Sequence, residues 1–132
     1  MKKIAILSIF ILFTFLFSCN NNDIADKNYE DFNHIDHWDE FQTFEDDVIA
    51  VYYSPFCEIC QSIEDEVTEY MVILEAEYSV YVIHGGMIFE QGEPPYKNIE
   101  TPSVIVYKNG EFIDLISGSK PIINYLSSLI DD

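Results

Sequence analysis

Apolar and polar residues fall in blocks along this chain, and the period of each block predicts an element. Lys2 and Lys3 precede fourteen uncharged residues, Ile4–Phe17. That run is shorter than the roughly 20 residues a membrane-spanning helix needs, and its basic flank predicts a signal segment over residues 1–18. Residues 19–33 are polar and acidic, with Asn20, Asn21 and Asn22 in succession, and predict a flexible tether. Ile35, Trp38, Phe41 and Phe44 then recur every third residue, which predicts a short helix capped by Asp36.

Val48–Tyr53 is apolar throughout and rich in branched and aromatic residues, the pattern of a strand buried on both faces. After Ser54-Pro55-Phe56, the residues Cys60, Ile63, Val67, Tyr70/Met71 and Leu74 share one face of a helix ending near Glu77. Glu58, Glu64, Asp65, Glu66 and Glu69 take the other. Val80–Ile83 predicts a second short strand, stopped by Gly85-Gly86. Pro94-Pro95 opposes regular structure in the linker 87–100, where a short helix over Tyr96–Ile99 is the one candidate element. Ser103–Tyr107 and Phe112–Ile116 flank Lys108-Asn109-Gly110-Glu111 as a hairpin. Pro121 starts a last helix that turns Ile122, Ile123, Leu126 and Leu129/Ile130 inward. A strand–helix–strand unit followed by a hairpin and a covering helix predicts an α/β domain over residues 34–132. Its expected architecture is a mixed central sheet with helices on both faces.

Charge narrows the partners. Six lysines and no arginine face 24 acidic residues, a formal net charge of −18. Cleavage after residue 18 would remove Lys2 and Lys3 and no acid, leaving −20. Such a surface repels nucleic acid and anionic membranes, so neither is an expected partner through charge. The plainest use of the acidity is solubility, and a monomer is expected.

Three cysteines remain to be explained. Leu16-Phe17-Ser18-Cys19 resembles the lipobox of bacterial lipoproteins, with leucine three residues before the cysteine and a small residue directly before it. The resemblance implies lipidation of Cys19 and cleavage before it, anchoring the domain to the cell membrane on its outer side. A plain secretory signal with an incidental cysteine is the competing reading. The other two stand in Cys57-Glu58-Ile59-Cys60, where a strand gives way to a helix. At a helix N-terminus the unpaired N–H groups and the helix dipole favour a thiolate. The two-residue gap lets both sulfurs share one helical turn, close enough to form and reopen a disulfide. Thiol–disulfide exchange needs such a pair: one thiolate attacks and a second thiol resolves the mixed disulfide.

Two stretches in that order, Tyr52–Cys60 and Tyr96–Glu111, make the chain similar to thioredoxin-fold proteins over nearly the whole expected domain. The resemblance implies Cys57 as the exposed attacking thiol and Cys60 as the recessed resolving thiol. It also implies a cis proline at Pro102, with Thr101 pairing its backbone with the bound substrate. The implied activity is a thiol–disulfide oxidoreductase acting on protein disulfides or dithiols, with no metal or organic cofactor. Outside the cytoplasm it would draw on an electron-transfer partner in the membrane. Cytosolic thioredoxins bury an aspartate six residues before the first cysteine, where this chain has Val51, and carry Gly-Pro where it has Glu58-Ile59. The negative charge at Glu58 opposes a thiolate, so a raised Cys57 pKa and a reducing couple are expected. Some extracytoplasmic reductases of cytochrome c maturation also carry Glu after the first cysteine, and an oxidase is the reverse alternative.

Two other classes compete. Zinc could be held by Cys57 and Cys60 with His34 and His37 or with His84, although no second CxxC is present. A surface-displayed binding module could keep the fold and use the disulfide as a permanent staple.

Overall fold

The computed structural model describes residues 26–88 and 99–131. The signal segment, Cys19 and the start of the tether lie outside the described residues, as does most of the linker with Pro94-Pro95 and, apart from Ile99, the Tyr96–Ile99 candidate helix. Among the described residues, no helix is long and apolar enough to cross a membrane.

Four strands form one sheet in the order β2-β1-β3-β4: β1 (Val48–Tyr53), β2 (Ser79–His84), β3 (Ser103–Lys108) and β4 (Glu111–Ser117). β1 runs parallel to β2 and antiparallel to β3, and β3 is antiparallel to β4. The sheet is therefore mixed, as the order of elements predicts. Every residue of β1 is buried, because strands flank it on both sides and packed layers cover both faces. Its alternation divides the core in two. Ile49, Val51 and Tyr53 face a layer containing Cys60, Val67, Met71, Ile122 and Leu126. Val48, Ala50 and Tyr52 face Ile35, Trp38, Phe41, Ile105 and Tyr107.

The first layer is carried by α1 (Glu58–Ser62), α2 (Glu64–Leu74) and α4 (Ser119–Ile130), whose buried apolar residues join it. A single helix from Cys57 to Glu77 is predicted, but Ile63 interrupts it with φ −109° and ψ 1°. Ser62 Oγ donates to the Ile59 carbonyl at 2.8 Å, a local side-chain bond of the kind that competes with the helical ladder and bends it. α4 begins two residues before Pro121. Proline fits within the first turn because its missing N–H would have no helical partner there.

The second layer is covered by a 3-10 helix, Trp38–Thr43. The three-residue recurrence of its apolar positions is the 3-10 period itself. Its N-cap is His37 rather than Asp36. Glu40 does the capping: its Oε1 accepts from the Asp36 and His37 N–H groups at 3.0 and 2.8 Å. Gly85–Ile88 adds one helical turn, α3, after β2. At the hairpin, Asn109 and Gly110 have φ of 50° and 75°, the left-handed pair that a two-residue turn matched to strand twist requires.

Polarity extends the tether to residue 33, and the structure corrects this. Tyr29 and Phe32 are 2% and 4% exposed and belong to the first core layer. Asn28 begins a short 3-10 turn, Tyr29–Asp31, with its side chain accepting from Glu30 N–H while Asp31 accepts from Asn28 N–H, each at 2.9 Å. The segment then lies along β2, where Val82 N–H donates to the Asn33 carbonyl at 2.8 Å and Ile35 N–H to the Val82 carbonyl at 2.9 Å. It shields an otherwise open sheet edge. The domain thus begins before residue 34, through two aromatic residues set in a polar run.

Candidate active site at the dithiol

β1 ends at Tyr53, and Ser54-Pro55-Phe56 turns the chain into α1. The turn is held by Cys57 N–H donating to the Ser54 carbonyl at 3.1 Å and by Gln61 Nε2 donating to the Pro55 carbonyl at 2.6 Å. Cys57 is the N-cap of α1, and its sulfur accepts from the Cys60 N–H at 3.1 Å. A backbone donor aimed at that sulfur favours the thiolate form when the pair is reduced. Cys57 and Cys60 are joined in a disulfide with their Cα atoms 5.2 Å apart. The two differ sharply in access: Cys57 is half-buried, whereas Cys60 is 1% exposed. Phe56 and Ile59, their neighbours in the chain, are exposed apolar residues at 91% and 53%.

Thr101 and Pro102 reach the same end of the sheet. Ser103 pairs with Tyr52, so the residues before it emerge where β1 delivers the cysteines. The Thr101–Pro102 peptide bond is cis. Pro102 is buried, and its carbonyl accepts from Gly118 N–H at 3.1 Å. Next to it, the buried Ser103 hydroxyl is satisfied by the Glu100 carbonyl and, at 2.7 Å, by Ser117 Oγ. Thr101 is half-buried and lines a groove of about 490 Å³ with Tyr52, Ser54, Gly85, Gly86 and Ile99. The backbone comes close there. A Cβ on Gly85 would sit 3.1 Å from the Tyr53 carbonyl and 3.2 Å from the Tyr52 hydroxyl, so a larger residue would press on the strand that carries the site.

The candidate zinc ligands are not brought together. His34 Nε2 lies 3.5 Å from Glu30, His37 occupies the N-cap position of the 3-10 helix, and His84 sets its ring edge-on to Tyr53 with centroids 5.4 Å apart. Among the described residues, no three His, Cys, Asp or Glu side chains gather as metal ligands.

A second cavity, about 440 Å³, borders the buried cysteine and was not foreseen from the sequence. Tyr29, Glu30, Tyr53, Gln61 and Glu64 line it together with Cys60. The Tyr29 hydroxyl donates to the Cys60 carbonyl at 3.3 Å, and its N–H donates to Glu64 Oε1 at 2.9 Å. The Tyr53 hydroxyl donates to Glu30. Both phenols are held well above the usual tyrosine range, by burial first. The Glu64 charge adds to this at Tyr29, and the Glu30 hydrogen bond and charge add to it at Tyr53. They are therefore fixed donors. The sequence signal was faint: Glu64 reads as one more solvent-facing acid on an amphipathic helix, and Tyr29 as part of a tether.

No family model and no curated protein matches the chain. Solved structures do. Mitochondrial thioredoxin 3 of Saccharomyces cerevisiae, in its oxidised form, superposes with a TM-score of 0.60 at 18% identity, over 80% of this chain and 99% of that one. A structure from work on thiol resolution in yeast mitochondrial 1-Cys peroxiredoxin gives 0.59 at 16% identity, with the same coverages. The germline-specific thioredoxin Deadhead of Drosophila melanogaster gives 0.58 at 14%, over 74% and 95%. The mixed four-stranded sheet, the helices on both faces and these superpositions establish that the chain has the thioredoxin fold.

Proposed function

We propose that this protein is a thiol–disulfide oxidoreductase that reduces protein disulfides from a lipid anchor outside the bacterial cytoplasm. The observation that carries the chemistry is the unequal pair: a half-exposed Cys57 at the start of α1, bonded to a buried Cys60. In the reducing direction the Cys57 thiolate attacks one sulfur of a substrate disulfide, and the other substrate sulfur leaves as a thiolate and is protonated. Cys60 then attacks the Cys57 sulfur, the second substrate sulfur leaves, and two electrons have passed from the protein to the substrate. Thr101 and its groove would hold the substrate chain beside Cys57. A membrane-bound dithiol would restore the pair, and no metal or organic cofactor is needed.

The reducing direction rests on charge. Glu58 follows Cys57 directly, while Lys27 and Lys108 are engaged with Glu75 and Asp47 at 3.3 and 3.9 Å. An acid beside the attacking sulfur disfavours the thiolate and therefore the strongly oxidising poise that a stabilised thiolate gives. A permanent staple is the weaker reading, because a staple has no use for one half-exposed cysteine flanked in sequence by exposed Phe56.

Activity is tested by following reduction of an exposed protein disulfide with dithiothreitol as electron source. The protein should accelerate it, and a rate equal to that of dithiothreitol alone would sink the proposal. The anchor is tested separately. Cys19→Ala should abolish incorporation of labelled fatty acid into the protein, since the resemblance makes the Cys19 thiol the site of acylation. Labelling unchanged by the substitution would refute lipidation at Cys19 while leaving the redox chemistry standing.

A further inference from the structure

Cys60 must lose a proton before it can attack, because the thiolate and not the thiol is the nucleophile. Among the described residues, the hydrophobic layer around it holds no carboxylate or imidazole. The β1 residue at its level, Val51, is 1% exposed, and the buried members of that layer are aliphatic, aromatic or sulfur side chains. Burial in such surroundings holds a thiol in its neutral form. A polar outlet is offered by the 440 Å³ cavity on whose wall Cys60 lies, a volume ample for several water molecules at about 30 Å³ each.

The titratable groups on that cavity are Tyr29, Glu30 and Asp31 from the 3-10 turn, Tyr53 from β1, and Glu64 from α2; no lysine lines it. The two tyrosines are donors, for the reasons of burial and charge already given. Asp31 is committed to the Asn28 N–H at 2.9 Å. Glu30 takes the Tyr53 hydroxyl, has His34 at 3.5 Å and is 61% exposed. Glu64 is half-buried, lies four residues beyond Cys60 and is oriented by the Tyr29 N–H, which occupies one of its two oxygens. The hydroxyl of the same tyrosine reaches the Cys60 carbonyl, so carboxylate and cysteine are both tied to Tyr29, one by its backbone N–H and the other by its side chain.

We propose that Glu64 is the proton acceptor for Cys60, acting across this cavity. The inference rests on the dithiol reading of Cys57 and Cys60. In the resolving step the Cys60 S–H bond breaks and its proton passes through cavity water to the Glu64 carboxylate. The Cys60–Cys57 bond forms as the bond from Cys57 to the substrate sulfur breaks. That sulfur leaves with the electron pair and takes a proton from solvent, and Glu64 releases its own through the cavity mouth. When the disulfide is reduced again, Glu64 returns a proton to Cys60.

The test uses the full chain in detergent with Cys19→Ser, so that Cys57 and Cys60 are the only thiols. The reduced protein is mixed with a limiting aryl disulfide whose released thiol is coloured. A first release reports attack by Cys57, and a second reports closure by Cys60. Glu64→Gln keeps an oxygen for the Tyr29 N–H but cannot take a proton. It should leave the first release unchanged and slow the second by about a hundredfold near neutral pH, the scale of general-base assistance. The slowed rate should climb roughly tenfold per pH unit, as solvent hydroxide takes over the proton transfer. Glu69→Gln, the same charge change on the exposed face of α2, should alter neither release.

A second release in Glu64→Gln with the rate and pH slope of Glu69→Gln would overturn the proposal. Equal slowing of both releases at an unchanged pH slope would also overturn it, making Glu64 a structural group. Absence of a first release in the Cys19→Ser parent would refute the dithiol reading and this inference with it.

Discussion

Cys60→Ser turns the protein into a trap. Expressed in cells, the variant accumulates mixed disulfides through Cys57 that survive non-reducing electrophoresis and dissolve on adding a thiol. Cys57→Ser captures nothing, and both variants lose turnover down to the rate of uncatalysed exchange. The asymmetry follows from access. Cys57 is half-exposed at the N-cap of α1, where its sulfur receives the Cys60 N–H, while Cys60 is 1% exposed beneath it. Only the outer sulfur can meet a protein disulfide, and only the inner one can release the captured partner. Capture by Cys57→Ser rather than by Cys60→Ser would reverse these roles, and capture by neither would favour the staple.

Phe41→Ala should lower stability by about 3–5 kcal/mol, the range for emptying a buried aromatic site. This is a large share of the roughly 5–15 kcal/mol that holds a domain of this size. Phe41 is fully buried and stacks on Tyr107 with ring centroids 4.4 Å apart, while Trp38 and Phe44 stand at 6.4 and 6.3 Å. It belongs to a 3-10 helix, whose own hydrogen bonding is too poor to sustain it. Packing against β1 and β3 therefore keeps that cover in place. The variant's urea midpoint should fall at an unchanged slope, and a loss under about 1 kcal/mol would mean that the face is held by something else. Because α1 packs on the opposite side of the sheet, the folded fraction should keep its exchange activity.

β1, the hairpin and the dithiol were legible because each has a short-range cause. Six consecutive apolar residues at Val48–Tyr53 can only be a fully buried strand or helix segment, and their branched and aromatic types decide for the strand. Asn109-Gly110 writes its own turn. What the sequence concealed depends on contacts between distant segments. Tyr29 looks solvated until Cys60 and Tyr53 are placed beside it, with the Tyr29 and Tyr53 rings 4.7 Å apart. Glu64 sits on the polar face of its helix, and only the 3-10 turn folding over it makes a cavity wall of that face. The break at Ile63 falls beside a serine hydroxyl bonded to the Ile59 carbonyl, and apolar periodicity registers neither. The proton acceptor proposed for Cys60 thus lies where the pattern is least informative, on a charged surface made functional by its neighbour.

The most direct test of the central claim is the reduction potential of Cys57–Cys60 in the full chain with Cys19→Ser, equilibrated against defined thiol buffers. Redox-active cysteines beside an acid should give a value near that of thioredoxin, about −270 mV, with each 30 mV shifting the equilibrium roughly tenfold. A value near −120 mV would keep the exchange chemistry and reverse the direction of electron flow. A potential well below about −300 mV, the range of structural disulfides, would contradict the account.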